Sequence, residues 1–223
     1  MNRNFRRWAL ALLCLSLALG ALACGKPSNN SNAAEATAEA NVKKGVKPEP
    51  DAEAAIIETD YGRIVIELYP NLAPQMVARF KKLAGSGFYN GTAIHRIDPE
   101  LGIIQGGDPN SKDDNPLNDG AGDSGEPNIP AEFSDLLYER GIVGAARKGP
   151  DINSANSQFF ITLKRQPAFE QSGNRYTVFG RVIEGINNAD IISTAPAVDG
   201  SRPADKILVK SITLAPRANF QKQ

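Results

Sequence analysis

The chain has 223 residues, 25 basic and 25 acidic side chains, one histidine and two cysteines, Cys14 and Cys24. That length suits one medium domain with a tail, and its balanced charge excludes the basic face that nucleic acid demands. The absence of cysteine after Cys24 excludes disulfides, thiol nucleophiles and Cys-ligated zinc from the body of the chain.

In chain order, "MNRNFRRWALALLCLSLALGALAC" has three arginines, an apolar run from Trp8 to about Leu19, and then small residues. This is the layout of a secretory signal, and the run is short for a membrane span of about 20 residues. Ala21-Leu22-Ala23-Cys24 resembles a bacterial lipobox, so residues 1–23 read as a lipoprotein signal peptide and Cys24 as the lipidated N-terminus. Residues 24–53 are polar and carry no aromatic side chain. Such a composition predicts a disordered tether, about 30 Å long on average as a coil.

From Ala54 the pattern changes. "AAIIETDYGRIVIELYP" predicts a hairpin around Asp60-Tyr61-Gly62, with Ile64, Ile66 and Leu68 on one face. "LAPQMVARFKKLAGSG" predicts a helix that starts at Pro74 and stops at Gly85 or Gly87; Met76, Val77, Phe80, Leu83 and Ala84 form its core stripe. Six further strands fall in "TAIHRI", "GIIQGG", "IVGAAR", "QFFITL", "YTVFGRV" and "KILVKSITLA", and a second helix in Ile186–Ala195. Eight short strands and two helices, punctuated by Gly and Pro, predict a mainly β fold: an eight-stranded antiparallel closed barrel capped by two helices. The domain is expected over residues 54–216, with 217–223 as a C-terminal tail.

Several features invite a chemical reading and most are better read as structure. His95 is a single candidate base, but no G-x-S-x-G elbow accompanies it. Zinc needs three or four ligands, which one histidine without cysteine does not supply, so no metal and no cofactor is expected. In the acidic loop Asn115–Glu126, Gly120 and Glu126 match two positions of a calcium loop, yet Leu117 occupies a ligand position and flanking helices are missing. That loop reads as solvated chain.

"GRIVIELYPNLAPQMVARFKKLAGSGFYNGTAIHRI", "IIQGGDP", "IPAEF", "NSQFFIT" and "YTVFGRVIEG" together resemble the cyclophilin family of peptidyl-prolyl isomerases, in the family's order, over about Ala54 to Ala215. "NSANSQFFIT" is similar to bacterial members. The resemblance implies an eight-stranded barrel with a helix at each end, and an enzyme that accelerates rotation about Xaa-Pro bonds. It places Arg96 as the catalytic arginine and Gln105 as the glutamine that orients it. Phe160 falls on the floor of the proline pocket, Ala146 and Arg147 on the strand that meets the substrate backbone, and Gln158 along the groove. Tyr176 takes a pocket position often held by histidine. His95 falls beside the substrate, where strand alternation makes it a prop of the groove edge. The chain departs from the pattern at Pro99–Ile103, where an aromatic wall is missing and Leu101 is the nearest stand-in, with Ile103 also set along the pocket, and at the family's groove tryptophan, whose neighbourhood is taken by Phe169 or Ala168.

These implications predict an exported, lipid-anchored isomerase, monomeric, facing the periplasm from the outer membrane, with proline-containing polypeptides as clients. The altered pocket wall leaves a second reading: a module that holds Xaa-Pro segments with little turnover.

Overall fold

The computed structural model describes residues 29–220. The elements are α1 (Asn29–Ala40), β1 (Glu53–Thr59), β2 (Gly62–Leu68), α2 (Pro74–Gly85), β3 (Ala93–Asp98), β4 (Ile103–Gly106), β5 (Ile142–Ala145), β6 (Phe159–Thr162), β7 (Val178–Glu184), α3 (Ile186–Ser193), β8 (Ala197–Val198), β9 (Arg202–Pro203) and β10 (Ile207–Pro216). Eight strands close into a barrel in the order β1-β10-β3-β4-β6-β5-β7-β2, and β8-β9 form a separate small ribbon. Every pairing in the barrel is antiparallel, and closure leaves no free edge.

The inward face of each strand fills one core. Ile57, Ile64, Ile66, Leu68, Ile104, Ile161 and Val209 meet there, as the period of two in β1 and β2 requires. Helix α2 buries Met76, Val77, Phe80, Leu83 and Ala84, the stripe that its sequence spacing predicts. Phe80 stacks edge-on against Phe159 at 5.8 Å and lies 5.3 Å from the rings of both Tyr89 and Phe179. Helix α3 adds Ala189 and Ile192 to the same core.

Pro74 opens α2, and no side chain of its own first turn caps it. The cap comes from elsewhere in the chain: the Glu132 carboxylate accepts the backbone N–H groups of Gln75 and Met76 at 3.1 and 3.0 Å. A carboxylate there also answers the positive end of the helix dipole, so Glu132 of "IPAEF" is a structural residue.

Residues 29–53 differ from the expected disordered tether. Asn29–Ala40 is helical, and residues 41–52 lie along the barrel. Lys43 exchanges backbone hydrogen bonds with Phe133 and Asp135 at 3.0 and 3.1 Å. Asn71 receives Glu49 N–H and donates to Lys47 O, and Asp51 N–H reaches Leu68 O. The segment buries little apolar surface and is held by polar groups, which hydropathy does not register. At the other end, the expected tail begins as a 3₁₀ turn over Arg217–Phe220, tied down by an ion pair from Arg217 to Glu67 at 3.1 Å. Among the described residues no helix is long and apolar enough to cross a membrane. Cys24 and the expected signal peptide lie outside the described residues.

Candidate functional site

The site is built on one lateral row across four strands. Arg96 on β3 stands opposite Gln105 on β4, Gln105 opposite Phe160 on β6, and Phe160 opposite Gly144 on β5. Residues opposite one another in a sheet share a face, so the register brings Arg96, Gln105 and Phe160 together. Gly144 makes room: a Cβ there would collide with the Phe160 ring, so glycine lets that ring lie across its neighbour.

The β3–β4 register shifts between Ile94 and Arg96. Ile94 and Ile97 both lie in the core, which simple alternation does not allow; His95 is the extra residue of a bulge. A bulge re-aims the side chains that follow it. Arg96 and Asp98 thereby point away from the core, and Ile97 points in.

A cavity of about 230 Å³ opens over this row, bordered by Arg96, Gln105, Phe160, Leu101 and Ile103. Ala146, Arg147, Phe169 and Tyr176 complete it. Nine of the eleven residues assigned by resemblance to catalysis or substrate contact thus surround one space, Phe169 and not Ala168 filling the place left without tryptophan. Gln158 borders the adjoining cavity of about 290 Å³, shared with Gln105, Ala146 and Arg147. His95 is the exception: it borders a different cavity, of about 220 Å³. The bulge gives the Phe160 cavity to Arg96 and turns the imidazole toward Gly120 of the acidic loop, so His95 backs the groove edge without bordering that cavity.

The floor is a small aromatic cluster. Phe160 lies 5.2 Å from Tyr176 and 5.7 Å from Phe169, both near-perpendicular; Tyr138 supports Phe169 from beneath at 5.6 Å. Buried Tyr138 also fixes the Tyr176 backbone, its hydroxyl accepting from Tyr176 N at 2.9 Å and donating to Tyr176 O. Arg147 covers the Tyr176 ring at 4.7 Å, a cation–π contact. Tyr138 has no motif around it, and its place in the site was not legible from sequence.

The polar rim is a chain of side-chain amides. Gln105 Oε1 faces Arg96 Nη1 at 3.5 Å, and Gln105 Nε2 donates to Gln158 Oε1 at 3.0 Å. Gln158 Nε2 in turn donates to the carbonyls of Gly120 and Gly122, each at 3.0 Å. Glutamine suits both positions because each must accept with one end and donate with the other. The acidic loop is therefore part of the groove, through Gly120 and Gly122. Its Glu126 pairs with Arg79 and Lys82 at 3.3 and 2.7 Å, which gives that carboxylate a structural role.

One partner of Arg96 went unread in the sequence. Asp98 Oδ2 accepts from Arg96 Nη2 at 2.8 Å, and Asp98 Oδ1 accepts from Leu101 N at 2.8 Å. A single carboxylate thus holds the guanidinium and the turn that presents Leu101 to the cavity. The signal was available as "RID", two residues apart on one strand face.

The family model for "Cyclophilin type peptidyl-prolyl cis-trans isomerase/CLD" matches residues 54–214. A "Probable peptidyl-prolyl cis-trans isomerase" of Brucella suis is 38% identical over 163 residues, 70% of this chain and 81% of the relative. A "Peptidyl-prolyl cis-trans isomerase-like 2" of Gibberella zeae is 38% identical over 178 residues, 76% of this chain; the chain spans only 28% of that protein's length. A crystal structure of a Cryptosporidium parvum cyclophilin-type isomerase, determined in the presence of the dipeptide Ala-Pro, is 30% identical with a TM-score of 0.63, covering 73% of this chain and 98% of that one. With the closed barrel and the Arg96–Gln105–Phe160 row, these findings establish that the chain belongs to the cyclophilin-type peptidyl-prolyl cis-trans isomerase family.

Proposed function

We propose that the protein catalyses rotation about Xaa-Pro peptide bonds. The observation that carries the reading is the 230 Å³ cavity: an apolar floor of Phe160, Phe169 and Tyr176 with Arg96 and Gln105 at its edge. The bond to be turned has a barrier of about 18–20 kcal/mol, and rotation breaks no covalent bond. As the amide twists it loses resonance, and its nitrogen regains a lone pair. A guanidinium directed at that nitrogen stabilises the twisted form more than either planar form, as catalysis requires. Asp98 and Gln105 hold Nη2 and Nη1 of Arg96, and arginine stays charged at every accessible pH. The aromatic floor anchors the proline ring while the carbonyl side turns.

The test is a proline-peptide isomerisation assay with the wild-type chain and Arg96→Ala. Loss of the donor should cost roughly 3–4 kcal/mol of transition-state stabilisation, a factor of about 10²–10³ in kcat/KM, with folding little changed. Equal rates in the two proteins would overturn the assignment. A wild-type chain that binds proline peptides without turnover would favour the holding module.

We further propose that the enzyme is exported, anchored through a lipidated Cys24, and assists folding of proteins of the cell envelope. The basic start, apolar run and Ala21-Leu22-Ala23-Cys24 support this, and Gly25, in place of an aspartate, favours the outer membrane. Several acyl chains hold stably at about 0.8 kcal/mol per buried methylene. Cys24→Ser should release the chain from membranes or leave its uncut precursor behind, read by fractionation and intact mass. A mature N-terminus other than a modified Cys24 would refute the anchor.

A further inference from the structure

Beside the groove, on the other side of the acidic loop, lies the cavity of about 220 Å³ that His95 borders together with Asp113, Asp119, Asp205, Arg202 and Lys206. We propose that this cavity is a subsite for a basic side chain, lysine or arginine, of the same polypeptide whose proline occupies the Phe160 cavity; the proposal rests on the isomerase reading.

The first support is the histidine. It is 8% exposed, and neither ring nitrogen makes a well-formed hydrogen bond among the described residues, although the Ala93 backbone lies close enough to act on the ring. A buried polar group without a partner is costly unless something supplies one. The second is Asp119, on the same cavity, whose Oδ1 is also buried without a partner. Its carboxyl sits above its ordinary value through burial and the neighbouring carboxylates of Asp108 and Asp113, against the weaker pull of Lys206 and Arg202.

The cations close by are already engaged. Lys206 Nζ donates to the carbonyls of Lys112 and Asp113 at 2.9 and 3.0 Å, and Arg202 pairs with Asp199 at 3.1 Å. Asp108 is fully buried and is answered by backbone N–H groups of Asn110 and Gly120, not by a cation. The lining therefore sets four aspartates, Asp113, Asp114, Asp119 and Asp205, against the two cations Arg202 and Lys206, and is net negative and richer in acceptors than in free donors. An ammonium or guanidinium brings both donors and positive charge, whereas a carboxylate would meet like charge. A metal ion fits less well: among the described residues no three His, Cys, Asp or Glu side chains converge to hold one. Pro116, Pro203 and Ala204 supply apolar surface along which an aliphatic stem can lie while its charged head reaches Asp119.

Placement links the two sites. Asp119 borders this cavity and the next residue, Gly120, borders the groove, where Gln158 holds its carbonyl. A client chain leaving the groove across Gly120 advances roughly 3.3–3.6 Å per residue, so a side chain a few residues from the proline reaches the cavity.

The test uses the full chain and Ala-Pro peptides carrying Lys, Gln or Glu two to four residues from the proline, on either flank. At low salt, Lys in the reaching position should raise kcat/KM about fivefold over Gln, with Glu lowest, the size of a partly exposed ion pair; added salt should shrink the difference. Asp119→Asn should bring the Lys-to-Gln ratio below about twofold while leaving an uncharged Ala-Pro peptide at its wild-type rate. Equal rates for Lys and Gln at every position, or a preference that survives Asp119→Asn, would overturn the subsite. Failure of the wild-type chain to turn over the uncharged peptide would instead defeat the isomerase reading, and the subsite with it.

Discussion

The two faces of the β3–β4–β6 wall are made from the same short stretches of chain and do opposite things. Inward, Ile94, Ile97, Ile104, Phe159 and Ile161 join the main core. Outward, Arg96, Gln105, Ile103 and Phe160 border the cavity. Phe159 and Phe160 are consecutive and almost equally buried, at 1% and 3% exposure. What separates them is what lies against the ring: Phe159 is enclosed by Phe80 and Tyr89, while Phe160 has aromatic neighbours on its flanks and a cavity above. The pocket is a small core with one side open, so a proline ring entering it gains the kind of contact that a missing core residue would have made.

The largest expected effect separates the faces directly. Phe159→Ala should cost about 3–5 kcal/mol of stability, as for truncation of a fully enclosed ring, read as a fall in denaturation midpoint, with kcat/KM unchanged where the variant remains folded. Phe160→Ala should cost less stability and raise KM severalfold, because its ring serves cluster and substrate together. A Phe160→Ala variant with wild-type stability and wild-type KM would remove it from both roles.

This division also marks how far the sequence could be read. Strand alternation in "GRIVIEL" and the helical spacing of Met76, Phe80 and Leu83 are local consequences of which face meets the core, so they predicted the barrel and α2 with few errors. The row of Arg96, Gln105 and Phe160 is not local. It depends on register between strands, and the sequence carried it only through resemblance to a family. Contacts made by polar groups across long separations were missed altogether. Glu132 capping α2, Tyr138 fixing Tyr176, and residues 41–52 held by Asn71 and Asp135 have no periodic signature. His95 points away from the Arg96 cavity, as alternation implies, but the one-residue bulge that seats it against Gly120 has no signature in the sequence.

A smaller effect tests whether the outer face is preorganised. Asp98 ties Arg96 to the turn carrying Leu101. As a partly exposed ion pair it adds at most about 1 kcal/mol to stability, so its value lies in the direction it gives the guanidinium. Asp98→Ala should lower kcat about tenfold with a smaller change in KM, and Asp98→Asn, which keeps an acceptor, should recover part of the loss. In the Arg96→Ala background, removing Asp98 should have little further effect on rate. Full additivity of the two substitutions would show that Asp98 acts on something other than Arg96.

The smallest expected effect belongs to His95, which sits at the bulge between the two faces. Burial holds its pKa below the ordinary 6.5; the Asp108 charge and the Ala93 backbone oppose that shift and Arg96 adds to it. The folded protein therefore keeps the imidazole neutral at a pH where the unfolded chain has begun to protonate. In that window the unfolded state binds more protons, so stability rises with pH and is lost progressively as pH falls below about 6.5. His95→Gln should remove this part of the acid sensitivity, seen as a flatter dependence of denaturation midpoint on pH. Catalysis should not follow the same curve. Rotation about an amide transfers no proton, and Arg96 does not titrate, so kcat/KM for an uncharged Ala-Pro peptide should be nearly level from about pH 5.5 to 8. A rate profile with a single ionisation near 6.5 that disappears in His95→Gln would make the histidine a participant in the reaction, and would place the chemistry on the side of β3 away from the Phe160 cavity.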